Sequence, residues 1–109
     1  MKTSIVMRLT YGATHHWPGE PQPSRLNLVE SHFHHFQIEI RHPVHELDRE
    51  IEFIQCRAEL YDLIDRRYEH NFGARSCEMI AMDLQEHIAP YATQISVFED
   101  DFVGAVVEF

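Results

Sequence analysis

The chain has 109 residues, of which 18 are acidic and 9 basic, so its formal net charge is −9. This length predicts a single domain over residues 1–109, and the acidic surplus, with no clustered basic patch and no long apolar run, disfavours nucleic acid and membranes as partners. The two cysteines lack metal-finger spacing, and no charged-then-apolar leader follows Met1, so a reducing cytoplasm is the expected location.

The first predicted strand covers residues 4–11, where apolar and polar side chains alternate. Its buried face carries Ile5, Met7, Leu9 and Tyr11. A histidine pair, His15 and His16, follows between Gly12 and Pro18, and these two residues predict that the strand ends there in a loop. Binding residues are often found on loops that a rigid scaffold holds in place.

The second predicted strand covers residues 32–41 and contains an unusual concentration of histidine. Because side chains alternate along a strand, one face carries His32, His34, Phe36, Ile38 and Ile40. Two imidazoles on one face, roughly 7 Å apart at the backbone, can reach the same metal ion. Pro43 is expected to end this strand, since proline has no N–H to donate.

The middle of the chain predicts two helices. Residues 50–54 form either a short third strand or an extended approach to the first helix, at about 56–68. The apolar stripe of that helix carries Ala58, Tyr61, Ile64 and Tyr68, broadened by Leu60 and Leu63. Ser76 is placed to cap a second helix, whose buried side carries Met79, Ile80, Leu84 and Ile88.

The C-terminal part predicts a hairpin after Pro90, which stops the second helix. Its two strands cover residues 94–98 and 103–109, on either side of the acidic segment Glu99–Asp101. The resulting order, ββααββ, predicts an α+β domain with an antiparallel sheet and both helices packed on one face.

Six segments in chain order resemble motifs of the 6-pyruvoyltetrahydropterin synthase and 6-carboxytetrahydropterin synthase family. They are Tyr11–His15, His32–Phe36, Glu50–Phe53, Ile64–Tyr68, Ser76–Met79 and Val97–Asp100. In that family the corresponding motifs are similar to Phe-Ser-Ala-Ala-His, His-Gly-His-Asn-Tyr, Val-Ile-Asp-Phe, Leu-Asp-His-Arg-Tyr, Thr-Ala-Glu-Asn and Val-Trp-Glu-Thr. The resemblance runs nearly end to end.

This resemblance implies the tunnelling fold, with homo-oligomers such as a hexamer or another ring-stacked assembly, and active sites between subunits. It implies that zinc is bound by His15, His32 and His34, and that Glu99 anchors the ring of a pterin substrate. The implied reaction is a carbon–oxygen lyase step on 7,8-dihydroneopterin triphosphate, of the kind used in queuosine biosynthesis. Three neutral imidazoles with one exchangeable position suit a catalytic zinc, and a carboxylate suits two adjacent N–H donors of a pterin.

Three departures from the family pattern concern proton transfer. The family has a cysteine before its histidine pair, whereas Asn27–Glu30 has none, and neither cysteine of this chain is expected to serve that loop. Asp65 keeps the position of the family's aspartate, but the histidine that follows it there is replaced by Arg66, which cannot shuttle a proton at neutral pH. Phe33 replaces the glycine between the two ligands and is expected to crowd that strand face.

Replacement groups can be proposed from the same chain. Glu30 lies two residues before His32 and is a candidate base if desolvation raises its pKa, the alternative being a solvated loop acid. His70 or His16 is a candidate second proton carrier, or else an ordinary surface histidine. A triphosphate on this acidic protein would need local positive charge from Arg25, Arg66 and Arg67.

Other readings of the same residues remain open. One is a diverged relative that binds zinc, or a pterin-like or purine-like ligand, without the elimination reaction. Another is an iron site built from the histidine pair and Glu39, although Glu39 falls on the opposite strand face. A structural domain without any metal is also possible.

Overall fold

Five strands and two helices make up the fold of residues 1–23 and 26–109, which the computed structural model describes. In chain order the elements are β1 (Thr3–His15), β2 (His32–Val44), α1 (Phe53–Tyr68), β3 (Asn71–Gly73), α2 (Cys77–His87), β4 (Gln94–Glu99) and β5 (Val103–Glu108). The strands form one sheet in the order β3-β1-β2-β4-β5. The fold is therefore α+β, as predicted, with both helices between the second and fourth strands.

The sheet differs from the predicted antiparallel sheet because of β3. This three-residue strand lies between the helices and pairs with β1 in parallel, whereas all other neighbouring strands are antiparallel. Its pairing is supported by hydrogen bonds from the N–H of Thr14 to His70 O at 3.0 Å and from the N–H of His16 to Gly73 O at 2.9 Å. The sheet is thus mixed, and the element order is ββαβαββ.

The first two strands are longer than predicted. β1 continues through Gly12 to His15 because β2 pairs with it along its whole length, from Thr3 opposite Val44 to His15 opposite His32. The prediction that Pro43 ends β2 is wrong. Pairing of β2 with β4 stops at Arg41, so Pro43 has a neighbouring strand on one side alone, where a residue without an N–H is tolerated.

One hydrophobic core joins both helices to one face of the sheet. The strands contribute alternate residues, including Met7, Leu9, Phe36, Ile38 and Ile40, which are at most 2% exposed. This confirms the predicted inward faces of β1 and β2 apart from Ile5, which is only partly buried. No helix among the described residues has the length and apolar composition needed to cross a bilayer.

Helix α1 begins three residues earlier than predicted. The side chain of Glu52 caps it by accepting hydrogen bonds from the N–H groups of Ile54 and Gln55, so residues 50–52 lead directly into the helix and form no third strand. The predicted stripe was also partly wrong. Its buried residues follow i, i+4 spacing at Leu60, Ile64 and Tyr68, whereas Ala58, Tyr61 and Leu63 are exposed.

The second helix and the hairpin agree with the prediction more closely. Ser76 caps α2 through its side chain, which accepts from the N–H of Met79 at 3.2 Å. Ile80, Leu84 and Ile88 are buried as predicted, whereas Met79 is 57% exposed. The terminal hairpin forms from β4 and β5, and it brings Glu99 opposite Phe36 of β2.

Candidate metal centre

The register of β1 and β2 brings the three predicted histidine ligands together. His15 lies directly opposite His32, and His34 lies opposite Ala13, two residues along the same pair of strands. One nitrogen from each ring can be chosen so that the three nitrogens all lie within 4.8 Å of one another. The rings are in edge contact, with centroids 4.6 to 5.3 Å apart.

Each of the three imidazoles is fixed by an acceptor at its Nδ1 atom. Nδ1 of His15 lies 2.9 Å from Arg75 O, Nδ1 of His32 lies 2.9 Å from Glu30 O, and Nδ1 of His34 lies 2.6 Å from Oδ2 of Asp100. Since a carbonyl or carboxylate oxygen can only accept, each Nδ1 carries the proton. The Nε2 atoms of the neutral rings therefore carry lone pairs, which is the form that binds a metal.

Glu99 faces two of these Nε2 atoms. Its Oε1 lies 3.2 Å from Nε2 of His15, and its Oε2 lies 3.5 Å from Nε2 of His34. Nε2 of His15 is buried and makes no hydrogen bond. A lone pair and a carboxylate this close repel each other unless a proton or a cation lies between them.

These residues fit a zinc ion. Zinc–ligand bonds of about 2.0–2.1 Å put tetrahedral ligand atoms roughly 3.3 Å apart. The 4.8 Å limit for the histidine nitrogens is wider, so binding requires small ring rotations. Burial lowers the pKa of His15, and this favours the neutral imidazole that ligation requires.

A cavity of about 410 Å³ opens beside the histidines. Glu99 and Cys77 lie in its wall together with His15 and His32, and the loop after β1 adds His16 and Trp17. The wall is completed by the start of α2 and by β5, with residues that include Arg75, Ser76, Met79, Val103 and Gly104. The volume is that of a small-molecule site.

Cys77 is a wall residue that the sequence interpretation missed. Its thiol donates to Oε1 of Glu99 at 3.8 Å. Burial, and next the negative charge of Glu99, raise the pKa of the Cys77 thiol to about 12, so it is a neutral donor rather than a thiolate. The sequence did contain a signal for Cys77. The predicted cap at Ser76 makes Cys77 the first residue of α2, and one of the six motifs, Ser76–Met79, lies at this helix start.

Asp100 is the second missed residue. Its Oδ2 accepts from His34, and its Oδ1 accepts the backbone N–H of His35 at 2.8 Å. These two hydrogen bonds lower the pKa of the Asp100 carboxyl below its usual value. No sequence pattern indicated this, because the direction of the side chain depends on the left-handed backbone of Asp100, with φ at 51°.

The two residues predicted to carry protons lie apart from this cluster. Asp65 accepts a hydrogen bond from the hydroxyl of Tyr11 at 2.9 Å and lies 3.1 Å from Nε2 of His70. Burial is the largest cause that raises the pKa of Tyr11, to about 12, so its hydroxyl stays protonated. Glu30 is exposed, and its backbone carbonyl rather than its carboxylate contacts His32, one of the predicted ligands. Neither acid lies in the cavity wall.

The arginines expected to bind phosphate are placed differently. Arg67 is engaged by Asp83, with Nε 2.9 Å from Oδ2, and Arg66 is exposed outside the cavity wall. Arg25 lies outside the described residues. Within the described part of the chain, the arginine in the cavity wall is Arg75.

The iron reading is not supported by the position of Glu39. Its carboxylate pairs with Arg8 at 2.7 Å, on the sheet face away from the core. The histidine pair points to the other face, where His34 and Phe36 are in ring contact. Glu39 therefore cannot join the histidines at one ion.

Comparison with known proteins adds no family assignment to this geometry. No protein-family model matches the chain, and the search of curated proteins found no match. Function is therefore inferred from the cavity and from the order of the sequence motifs.

Proposed function

We propose that this protein binds zinc through His15, His32 and His34 and acts on 7,8-dihydroneopterin triphosphate as a lyase of the 6-carboxy- or 6-pyruvoyltetrahydropterin synthase type. The observation that carries the proposal is the set of three imidazoles whose Nδ1 atoms all face acceptors, with one nitrogen of each ring within 4.8 Å of the others. The six motifs in family order supply the substrate class.

The architecture is compatible with the tunnelling fold that the resemblance implies. Two long strands come first and a hairpin comes last, as in the order that the resemblance implies, whereas strand β3 between the two helices departs from that order. Strand β5 has a neighbour on one side only, which leaves a sheet edge for another copy. We propose a homo-oligomer on this basis, to be measured as a mass by light scattering.

The proposed mechanism assigns specific tasks to the chain. Bound zinc would act as a Lewis acid that polarises an oxygen of the substrate. Glu99 would accept two adjacent N–H donors of the pterin ring through its two oxygens, while Cys77 would donate its S–H to Oε1 and so orient the carboxylate. Trp17 and Leu28 would cover the apolar part of the ring and exclude water.

Proton transfer would use either His16, which lies in the cavity wall, or a group from outside it. Asp65 is paired with His70, an aspartate–histidine arrangement built from a different histidine than in the family motif. If active sites lie between subunits, this pair would act at the cavity of a neighbouring copy, and Glu30 is the candidate base on the same copy as the histidines. Two free cysteines are compatible with the reducing cytoplasm expected for such an enzyme.

The second candidate function is zinc or pterin-like ligand binding without turnover. It is favoured by the high pKa of Cys77, since the cavity's own thiol is no base, and by the exposed position of Glu30. Such a protein would keep Glu99 as a ring anchor and lose the elimination reaction.

Metal analysis followed by a turnover assay tests both candidates. Purified protein is expected to hold about one zinc per chain, and His32→Ala is expected to lose it, with exposed His45→Ala as the matched control. Equal zinc in the wild type and His32→Ala would contradict the metal centre. Product from 7,8-dihydroneopterin triphosphate would support the lyase, whereas binding without product would favour the second candidate.

A further inference from the structure

We infer that Asp100 is a positioning residue for the metal centre, which fixes His34 as the most strongly electron-donating of the three ligands. The inference rests on the proposed metal site but concerns a residue that the family resemblance assigns no task. In the family motif matched by Val97–Asp100, the last position is similar to a threonine, so this carboxylate is a property of this chain.

Asp100 forms hydrogen bonds with two consecutive residues of β2. Its Oδ2 accepts from Nδ1 of His34 at 2.6 Å, and its Oδ1 accepts from the N–H of His35 at 2.8 Å. The N–H of Asp100 in turn donates to His35 O at 3.1 Å. The carboxylate thus holds the ring of His34 and the backbone beside it in one arrangement, with Nε2 directed toward Glu99.

The three ligands differ in the charge of their supporting acceptors. His15 and His32 donate to backbone carbonyls, which are neutral, whereas His34 donates to a carboxylate. A charge-assisted hydrogen bond is roughly twice as strong as a neutral one. A carboxylate at Nδ1 raises the basicity of the opposite nitrogen. The hydrogen bond at Nδ1 should therefore affect metal affinity more for His34 than for the other two ligands.

The backbone conformation of this turn does not itself explain why position 100 is an aspartate. Asp100 and the next residue, Asp101, both adopt the left-handed conformation, with φ at 51° and 64°. Glycine adopts this conformation without steric cost, and asparagine is among the residues enriched there, so the turn by itself does not require aspartate. Left-handed non-glycine residues persist where surrounding contacts over-determine them, and for Asp100 these contacts are with His34 and His35.

Metal affinity compared between two matched variants tests the inference. Asp100→Asn and Asp101→Asn remove the same charge from the same turn. Only the first weakens the support of a ligand, because asparagine has one acceptor oxygen for the two N–H groups that Asp100 binds. Competition titration with zinc and cobalt should show Asp100→Asn weakened by roughly 10- to 100-fold and Asp101→Asn close to the wild type. Equal affinities of the two variants would overturn the inference.

A measurement on the metal-free wild type separates this inference from the proposed function. Ring ¹⁵N shifts report which nitrogen of a histidine carries the proton. We expect the proton of His34 on Nδ1 in the wild type and in Asp101→Asn, and a mixture of tautomers in Asp100→Asn. A wild-type His34 protonated on Nε2 alone would overturn the positioning role, whereas failure of the wild type to bind zinc would instead contradict the proposed metal centre.

Discussion

Phe33 lies between the two histidines of β2, and its ring extends across Gly12 of the neighbouring strand. A Cβ atom at Gly12 would come within 2.7 Å of Cζ of Phe33. The sequence predicted that Phe33 would crowd its strand face. The ring lies on the face away from His32 and His34, in contact with the ring of His35, and the missing side chain of Gly12 leaves space for it. The face that carries His32 and His34 is therefore undisturbed.

Two glycine substitutions are expected to differ sharply. In Gly104→Ala the new Cβ would lie 2.1 Å from Val97 O, a backbone atom that can move only with its strand. In Gly12→Ala the obstacle is the far end of Phe33, which is 55% exposed and can turn away. Urea unfolding should show a loss of about 1–3 kcal/mol or more for Gly104→Ala, and under about 1 kcal/mol for Gly12→Ala. Equal losses would contradict this explanation.

The side chain of Asp83, in α2, connects the two helices. It accepts hydrogen bonds from Arg67 at 2.9 Å and from the hydroxyl of Tyr68, and Arg75 lies 3.7 Å away. Burial would raise the pKa of Asp83, but the hydrogen bonds from Arg67 and Tyr68 outweigh it and lower the pKa below the ordinary value of an aspartate. The carboxylate is therefore more stable in the folded protein than in the unfolded chain.

Asp83→Asn is expected to destabilise the protein in a pH-dependent way. Because the folded pKa lies below the unfolded value, the stabilisation is complete above the unfolded pKa and is lost as pH falls through the folded pKa. Urea unfolding at pH 7 should show a loss of about 1–3 kcal/mol for the variant, and the difference from the wild type should shrink at about pH 3. Exposed Asp62→Asn is the control. A stability difference that does not change with pH would contradict the view that the charge of Asp83 stabilises the fold.

The sequence predicted those elements whose pattern is local. Alternation along β1 and β2 predicted the inward faces, and Ser76 predicted the start of α2, because both depend on neighbours in the chain. The stripe of α1 was partly wrong because Ala58 and Tyr61 satisfy the same spacing as Leu60 and Ile64, and only the position of the sheet selects between them. The strand β3 was missed because three residues contain no periodicity.

The sequence likewise predicted one part of the candidate site and missed another. The meeting of His15 with His32 and His34 could be predicted, since antiparallel pairing of two adjacent strands joins them. The contributions of Cys77 and Asp100 depend on where α2 and the final hairpin pack against those strands. Such long-range placement leaves no spacing signal in the sequence.

For the whole molecule, the long β1–β2 ribbon gives an elongated shape of 54 × 27 × 23 Å. All three proposed ligands lie at the end of this ribbon where β1 stops and β2 begins. A metal bound there would hold the two strand ends together, along with the turn containing Asp100. Metal binding should therefore stabilise the entire fold, because an unfolded chain separates the ligands.

Zinc should raise the melting temperature of the wild type. At a free zinc concentration about 100 times Kd, mass action contributes about 2.7 kcal/mol, and this corresponds to a shift of roughly 10–20 °C for a domain near this size. His15→Ala should melt at the same temperature with and without zinc, while His45→Ala should keep the shift. A wild type whose melting temperature does not change when zinc is added would contradict coupling between metal binding and folding.

Trp17 is the single tryptophan of the chain, and it lies in the cavity wall two residues after His15. Its indole is about half exposed, so its emission responds to what enters the cavity. A paramagnetic ion such as Co²⁺ at the histidines should quench that fluorescence, whereas zinc should not, and a stacked aromatic ligand should shift its wavelength. The protein thus contains its own optical probe, and occupancy of the metal and of the cavity can be followed separately without a label.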